Sequence, residues 1–307
     1  MKDRVIDLHV HTNASDGEYS VTEVIKRAIK NNVDTIAITD HDTVMGLKQM
    51  DDSSYIRKVV ELERIEIIDG IELSAIPVNK PKKKGEQFHI LGLGIDPYNK
   101  RLNERLDQLN RKALYAVLGL IVQLKNDFGV EFKREDIARL TNQSRNLGRP
   151  DIAKLCVEYG LAKDVDDAFQ KYLHYSYTKI QNAGGGKGIP YQECLDLITN
   201  SGGIPILAHP KSLKLEEKEF LKLLRDMIDN GLRGIEVFHS SHTEQEMDYY
   251  NKIAEEYNLL ISGGSDYHGP LVKPDIELGA KNQKNHYLKQ KDLSVLSEVR
   301  RRRWNHV

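Results

Sequence analysis

The chain has 307 residues, enough for one large α/β domain or for a domain carrying a sizeable insertion. Its 45 Lys and Arg nearly cancel 46 Asp and Glu, a formal net charge of −1, so no global field recruits a polyanion and any phosphate must be gripped locally. Cys156 and Cys194 lack metal or redox spacing and read as reduced core residues, while the charged start Met1-Lys2-Asp3-Arg4 and the lack of any apolar run of about 18 residues predict a cytoplasmic protein without membrane spans.

Val5 to Val10 reads as a strand, and Val21 to Asn31 as a helix with Val21, Val24, Ile25, Ala28 and Ile29 on one face, opened by a Ser20/Glu23 capping box. Further strands are expected over Val33 to Thr39, Ile65 to Ile68 and His89 to Ile95. From about Asn99 to Gly188 strands give way to helices over Leu102 to Phe128, Arg134 to Leu140, Pro150 to Tyr159 and Val165 to Leu173. The run Ala183 to Gly188 that closes this stretch reads as a plain linker, because no P-loop pattern accompanies it. Alternation resumes with helix Tyr191 to Asn200, strand Ile204 to Ala208, helix Glu216 to Asn230, strand Gly234 to Phe238, helix Thr243 to Tyr257 and strand Leu259 to Ser262. Repeated βα units predict parallel strands in a closed or nearly closed barrel, built from residues 1–98 and 189–307, with 99–188 as a helical insertion subdomain.

Most of the eleven histidines fall in short blocks at strand ends, with carboxylates nearby. The blocks are Asp7-Leu8-His9-Val10-His11, Thr39-Asp40-His41-Asp42, Gly70-Ile71-Glu72-Leu73-Ser74, Phe88-His89-Ile90-Leu91-Gly92, Ala208-His209-Pro210, Glu236-Val237-Phe238-His239 and Gly264-Ser265-Asp266-Tyr267-His268. Imidazole and carboxylate donors suit zinc, manganese and iron, and barrels gather functional residues at the C-terminal strand ends. His9 and His11, two apart on a strand, share a face and can grip one ion together. Asp16 in the following loop is either a turn former or a further ligand, Asp40 or Asp42 is placed to orient His41, and Glu72 has one oxygen for each of two ions. His242 reads as solvent-exposed; His174, His286 and His306 read as structural or surface residues.

These blocks, in this order, resemble the PHP (polymerase and histidinol phosphatase) phosphoesterase family over nearly the whole chain. The resemblance implies a distorted (β/α)7 barrel and a centre of two or three divalent ions. Carried over by motif, His9, His11, Glu72 and Asp266 would hold one ion, Asp16, His41 and His268 a second, and His89 and His209 a third that shares Glu72. The helical insertion, with Gly148-Arg149-Pro150-Asp151-Ile152-Ala153 and Gly234-Ile235-Glu236-Val237-Phe238-His239, is similar to the branch that acts on nucleotides. Members of that branch remove phosphate from nucleoside monophosphates or 3′,5′-bisphosphates, and some trim short RNA from the 5′ end. That pattern usually has His where this chain has Asp151, whose charge beside Arg149 would weaken phosphate attraction.

The implied reaction is attack of a metal-bound hydroxide on phosphorus, with Arg149 and His239 holding phosphate oxygens or His239 protonating the leaving group. Ser74, Ser240 and Ser265 sit outside any GxSxG context, which argues against a serine nucleophile. Three alternatives stand beside this reading: a histidinol-phosphate phosphatase, an amidohydrolase-type hydrolase, and a non-catalytic nucleic-acid-binding module. The last is suggested by the basic runs Lys80-Pro81-Lys82-Lys83-Lys84 and Arg300-Arg301-Arg302-Arg303, which more often form solvated faces.

Overall fold

The computed structural model describes residues 4–77, 88–141, 146–182, 188–279 and 288–304. Strands β1 (Val5–Val10), β2 (Val33–Ile38), β3 (Glu66–Ile76), β4 (Phe88–Leu93), β5 (Ile189–Pro190), β6 (Ile204–Leu207), β7 (Gly234–His239) and β8 (Leu260–Gly264) form one sheet. The order is β1-β2-β3-β4-β6-β7-β8, with β5 paired to β3. The sheet curls until β1 meets the end of β8, where the His11 N–H donates to the Tyr267 carbonyl at 3.0 Å. The result is a nearly closed, seven-stranded α/β barrel.

One expectation is corrected: the strands are not all parallel. β4 runs antiparallel to both β3 and β6. The third strand continues past the expected Ile68 to Ile76, and the chain from there to Phe88 is shorter than the dozen or so residues a parallel crossover needs. The reversal has a chemical result, because it carries His89, near the start of β4, to the barrel end where the parallel strands finish.

The helices are α1 (Val21–Lys30), α2 (Met45–Asp52), α3 (Ser54–Glu63), α4 (Lys100–Phe128), α5 (Arg134–Thr141), α6 (Arg149–Glu158), α7 (Val165–Ala168), α8 (His174–Asn182), α9 (Tyr191–Asn200), α10 (Glu217–Asp229), α11 (Glu244–Glu256) and α12 (Val295–Trp304). Ser20 and Glu23 form the expected reciprocal capping box on α1. A π-helical turn at Phe169–Leu173 joins α7 to α8. Of the linker run, residues 183–187 lie outside the described residues.

All seven long strands contribute to one apolar cluster, which therefore fills the barrel: Ile6, Leu8, Ala37, Ile68, Leu91 and Ile206, with partly buried Phe238 and Leu260, plugged by Val295, Leu296 and Val299 of α12. A second layer packs α1, α9, α10 and α11 against the outer strand faces. A third cluster lies wholly between residues 117 and 177, around Val117, Leu120, Leu124, Ile152, Leu155 and Leu173. α4 serves both sides: Leu102, Leu106 and Leu109 pack on the barrel, and Val117, Leu120 and Leu124 on the helical cluster.

Cys156 and Cys194 are buried free thiols, as expected. Among the described residues no helix is long and apolar enough to cross a membrane. Arg300 pairs with Glu66, and Arg301 and Arg302 pair with Glu298, so these three arginines of the terminal basic run are engaged within the chain. The basic run at 80–84 and the positions of His286 and His306 lie outside the described residues.

Candidate metal centre

At the barrel end where β1, β2, β6, β7 and β8 finish, all nine candidate ligands meet. His9 closes β1 with His11 just beyond it, and the two rings lie 5.2 Å apart. His41 follows β2, and Glu72 lies mid-strand on β3, held where the Asp42 N–H donates to its carbonyl at 2.9 Å. His209 follows β6, and Asp266 and His268 follow β8. Gly264 makes the last approach possible: a Cβ there would lie 2.4 Å from the Cβ of His9. Two of these positions, and Asp42 beside His41, carry backbone strain, with φ of +25° at His209, +56° at Asp266 and +49° at Asp42. Such conformations concentrate where surrounding structure over-determines a functional geometry.

Glu72 is the hub. Its Oε2 faces His9 Nε2 (3.3 Å), His11 Nε2 (3.2 Å) and His41 Nδ1 (3.0 Å), while Oε1 faces His89 Nδ1 (3.0 Å) and His209 Nε2 (2.9 Å). Asp266 Oδ1 faces His11 Nε2 and His268 Nδ1, each at 3.3 Å, and Asp16 Oδ1 lies 3.2 Å from His268 Nε2. The donor atoms fall into overlapping groups, among them His11–Asp16–His41–His268, His9–Glu72–His209, His9–His11–Asp266 and His41–Glu72–His89.

Whether a cation fits is tested by hydrogen bonding. Buried polar atoms are nearly always partnered, because an orphan costs its full desolvation penalty. Yet His9 Nε2, His11 Nε2, Asp16 Oδ1, His41 Nδ1 and Glu72 Oε2 are buried and make no aligned hydrogen bond. Five such atoms converging on one space form a donor set able to hold a cation. Burial opposes ionisation of Glu72, but His41, His89 and His9 outweigh it and hold its carboxyl well below the usual range. Asp266 is likewise low, burial being overcome by Lys273, His9 and His268. The carboxylates are therefore ionised and ready for a cation. Burial pushes His268 down to about 4, whereas for His41 the same penalty is overcome by Glu72 and Asp16, which raise it to about 10.

A ring of hydrogen bonds holds the ligands. Asp40 accepts from Thr12 N (2.8 Å), Thr12 Oγ1 (2.7 Å) and Ser15 Oγ (2.6 Å), and the Ser15 hydroxyl lies 3.5 Å from His11 Nδ1. Asp42 accepts from Ser74 N and Oγ, both at 2.8 Å. Both aspartates thus brace neighbouring loops and strands; the ring of His41 lies instead against Glu72 and Asp16. The helical segment joins in: Asn146 Nδ2 donates to the His41 carbonyl at 2.6 Å, and Lys154 Nζ to the Asp16 carbonyl at 2.8 Å.

Two spaces open onto the centre. An open cleft of about 450 Å³ is lined by Glu72, His209, His239, Asp266, Lys211 and Lys273. A smaller chamber of about 130 Å³ lies toward the helices, between Asp16 and His41 on one side and Val117, Leu120, Arg149 and Tyr177 on the other. The Arg149 guanidinium rests over the Tyr177 ring at 4.5 Å from its centroid. Asp151 faces away from this chamber: its Oδ2 accepts the Gly148 N–H at 2.7 Å as a helix-capping carboxylate, and it lines a separate pocket with Arg139 and Lys154.

His239 ends β7 in the cleft, with Nε2 3.3 Å from Asp266 Oδ2. His242 corrects its sequence reading: it is buried, its Nδ1 lies 2.8 Å from the Val237 carbonyl and its ring packs on Tyr250. His174 is exposed. Two residues without a role in the sequence reading stand at the centre. Glu236 is buried on β7 with Oε1 3.0 Å from His9 Nδ1, and Lys273 contacts Asp266 Oδ2. The signal for Glu236 was present, since a carboxylate between Ile235 and Val237 in a buried strand requires a partner.

Comparison with known proteins agrees with this geometry. The PHP domain family matches residues 7–271. The 5′-3′ exoribonuclease Rnm of Salmonella typhimurium is 31% identical over 90% of this chain and 89% of its own length. A phosphoribosyl 1,2-cyclic phosphate 1,2-diphosphodiesterase of Eggerthella lenta is 29% identical over 86% of this chain and 94% of its own. A 3′,5′-nucleoside bisphosphate phosphatase of Chromobacterium violaceum is 29% identical over 86% and 87%. Among solved structures, an amidohydrolase from Chromobacterium violaceum with bound sulfate and no metal superposes with a TM-score of 0.79 at 26% identity, covering 97% of this chain and 96% of that one. From the matched span and the shared architecture, the chain belongs to the PHP domain family.

Proposed function

We propose that this PHP-domain phosphoesterase hydrolyses phosphate monoesters of nucleotides, AMP or 3′,5′-nucleoside bisphosphates, with short 5′-phosphorylated RNA as an extended substrate. The observation that carries the reading is the convergence of five buried, hydrogen-bond-less donor atoms beside two cavities edged by Arg149 and Lys273. His9, His11, Asp16, His41, Glu72, His89, His209, Asp266 and His268 would hold two or three manganese, zinc or iron ions. When bound, such ions supply an activated water near neutral pH and neutralise charge on the phosphoryl oxygens.

The remaining roles belong to side chains of this chain. The Ser241 N–H donates to His239 Nδ1 at 3.0 Å, which leaves the proton on Nε2. That N–H faces the cleft side of Asp266 and is placed to donate to a phosphoryl or leaving-group oxygen. The Lys273 ammonium adds a positive charge on the same side, and Arg149 provides a planar, forked donor on the other. Val117, Leu120 and Tyr177 give the chamber around Arg149 the apolar walls that a base or sugar requires, which supports nucleotide over histidinol phosphate. Residues 99–188 act in this scheme as a substrate-recognition subdomain with their own apolar centre. Such a substrate and such ions are those of the cytoplasm, where we place the protein. The internal pairing of Arg300, Arg301 and Arg302 disfavours the non-catalytic nucleic-acid module.

The test is phosphate release from AMP, 3′,5′-bisphosphates, short 5′-phosphorylated RNA and histidinol phosphate, before and after chelation. Nucleotide turnover should vanish with the metal and return with added manganese. Turnover that survives complete chelation, or a clear preference for histidinol phosphate, would overturn the proposal.

A further inference from the structure

Glu236 has no part in the nine-ligand set, yet it touches two members of that set at once. It is fully buried in the middle of β7. Its Oε1 lies 3.0 Å from His9 Nδ1, and its Oε2 accepts the His209 backbone N–H at 2.7 Å. We propose that Glu236 is a positioning residue that selects the metal-ligating tautomer of His9 and simultaneously pins the backbone that presents His209. The proposal rests on the reading above, in which His9 and His209 are metal ligands.

The argument begins with what a carboxylate can do. An ionised carboxylate only accepts hydrogen bonds, so the His9 nitrogen facing it must carry the hydrogen. With hydrogen on Nδ1, the neutral ring presents its Nε2 lone pair to the centre, where Glu72 Oε2 is 3.3 Å and Asp266 Oδ1 3.6 Å away. Without Glu236 the two tautomers compete, and one of them blocks ligation with an N–H.

The second oxygen addresses a different problem. His209 has φ +25° and ψ 64°, a strained backbone conformation that persists only where neighbours enforce it. The bond from its N–H to Glu236 is such a constraint, and it leaves His209 Nε2 2.9 Å from Glu72 Oε1. The strand itself is bent for the purpose, since the β7–β8 register shifts between Glu236 and Phe238, as at a β-bulge that re-aims side chains. One carboxylate thus couples β1 to the turn after β6 through the ligands of the two.

Glutamine tests this sharply because it cannot serve both partners. If its NH₂ faces His9, the ring must accept at Nδ1 and carry hydrogen on Nε2, the wrong tautomer for a ligand. If its NH₂ faces His209, two N–H groups oppose each other. Alanine removes the preference without imposing the wrong one.

The experiment measures Mn²⁺ affinity and stoichiometry, by EPR of free manganese, for wild type, Glu236→Gln and Glu236→Ala, together with circular dichroism of the metal-free proteins. Glu236→Gln should weaken binding by about 10- to 100-fold, the usual cost of losing such a supporting carboxylate, and Glu236→Ala should fall between it and wild type. A Glu236→Gln affinity within twofold of wild type overturns the inference while leaving the metal reading intact; a wild type that binds no divalent ion overturns the metal reading itself. A measurement independent of variant folding uses ¹⁵N-histidine spectra of zinc-loaded wild type. His9 should be coordinated through Nε2 with hydrogen on Nδ1, and coordination through Nδ1 overturns the proposal.

Discussion

The Asp7 carboxylate on β1 takes both the backbone N–H (2.9 Å) and the hydroxyl (2.5 Å) of Ser265, just beyond β8, and so stitches the barrel seam with a side chain. The same carboxylate accepts from Gly279 N at 2.7 Å and His9 N at 3.2 Å. Burial raises Asp7 to about 6, against the opposing pull of these donors. Asp7→Asn must turn an NH₂ toward at least one of these donors. It should cost about 2–4 kcal/mol in urea unfolding at neutral pH. A loss below about 0.5 kcal/mol would show that the seam does not depend on this carboxylate.

Glu72 is the most connected of the proposed ligands, since its two oxygens face five imidazoles. Glu72→Gln keeps the volume and removes the charge. We expect kcat to fall by about 10³-fold or more, with metal content measured by mass spectrometry reduced in parallel. Full metal occupancy with wild-type turnover would contradict its role as a bridge.

Metal affinity should rise with pH. In the metal-free protein the carboxylates around His41 lift it to about 10 against the penalty of burial, so at pH 7 it is protonated, and an incoming ion must displace that proton. Fewer protons remain to be displaced as pH rises toward 10. Each displaced proton contributes about a tenfold gain in affinity per pH unit. Manganese titrations between pH 6 and 9 read the slope directly, and a flat profile would mean that His41 is neutral before the ion arrives.

Lys273 should govern substrate capture more than turnover. Its ammonium contacts the outer oxygen of Asp266 and borders the open cleft. Lys273→Ala should raise KM for a nucleotide by about tenfold with a smaller change in kcat, the loss of one charge-assisted hydrogen bond. Lys273→Arg should recover much of the difference. An unchanged KM would place the lysine outside the phosphate's reach.

The boundaries of β1, α9 and α11 were legible because their apolar spacing agrees with their burial, and for α11 because Thr243 and Glu246 cap it. α2 and α3 are short and separated only by Ser53, so no loop punctuates the stretch Met45 to Glu63 and the two are hard to tell apart, although Ser53 caps the second through the Ile56 N–H. The reversal of β4 was hidden because a strand's direction leaves no trace in its own composition, and because a third strand ending at Ile68 leaves a gap before His89 long enough for a parallel crossover. The meeting of the nine predicted ligands could be anticipated, since strand ends converge in any barrel. Their division among ions came from the resemblance alone; what the sequence hid is that the Glu72 carboxylate faces five imidazoles, because that depends on β3 running on through it. His242 was misread for a related reason: its burial comes from the Val237 carbonyl and the Tyr250 ring, which lie beside it only after folding.

The bonds from Asn146 to the His41 carbonyl and from Lys154 to the Asp16 carbonyl tie the helical segment to two of the proposed ligands, so under the proposed function ion and substrate become partners in one equilibrium. If an occupant of the chamber shifts Asn146 or Lys154, it changes affinity for the ions, and the ions must change affinity for that occupant by the same factor. Selection for a new substrate through this helical segment would then also select a new metal requirement.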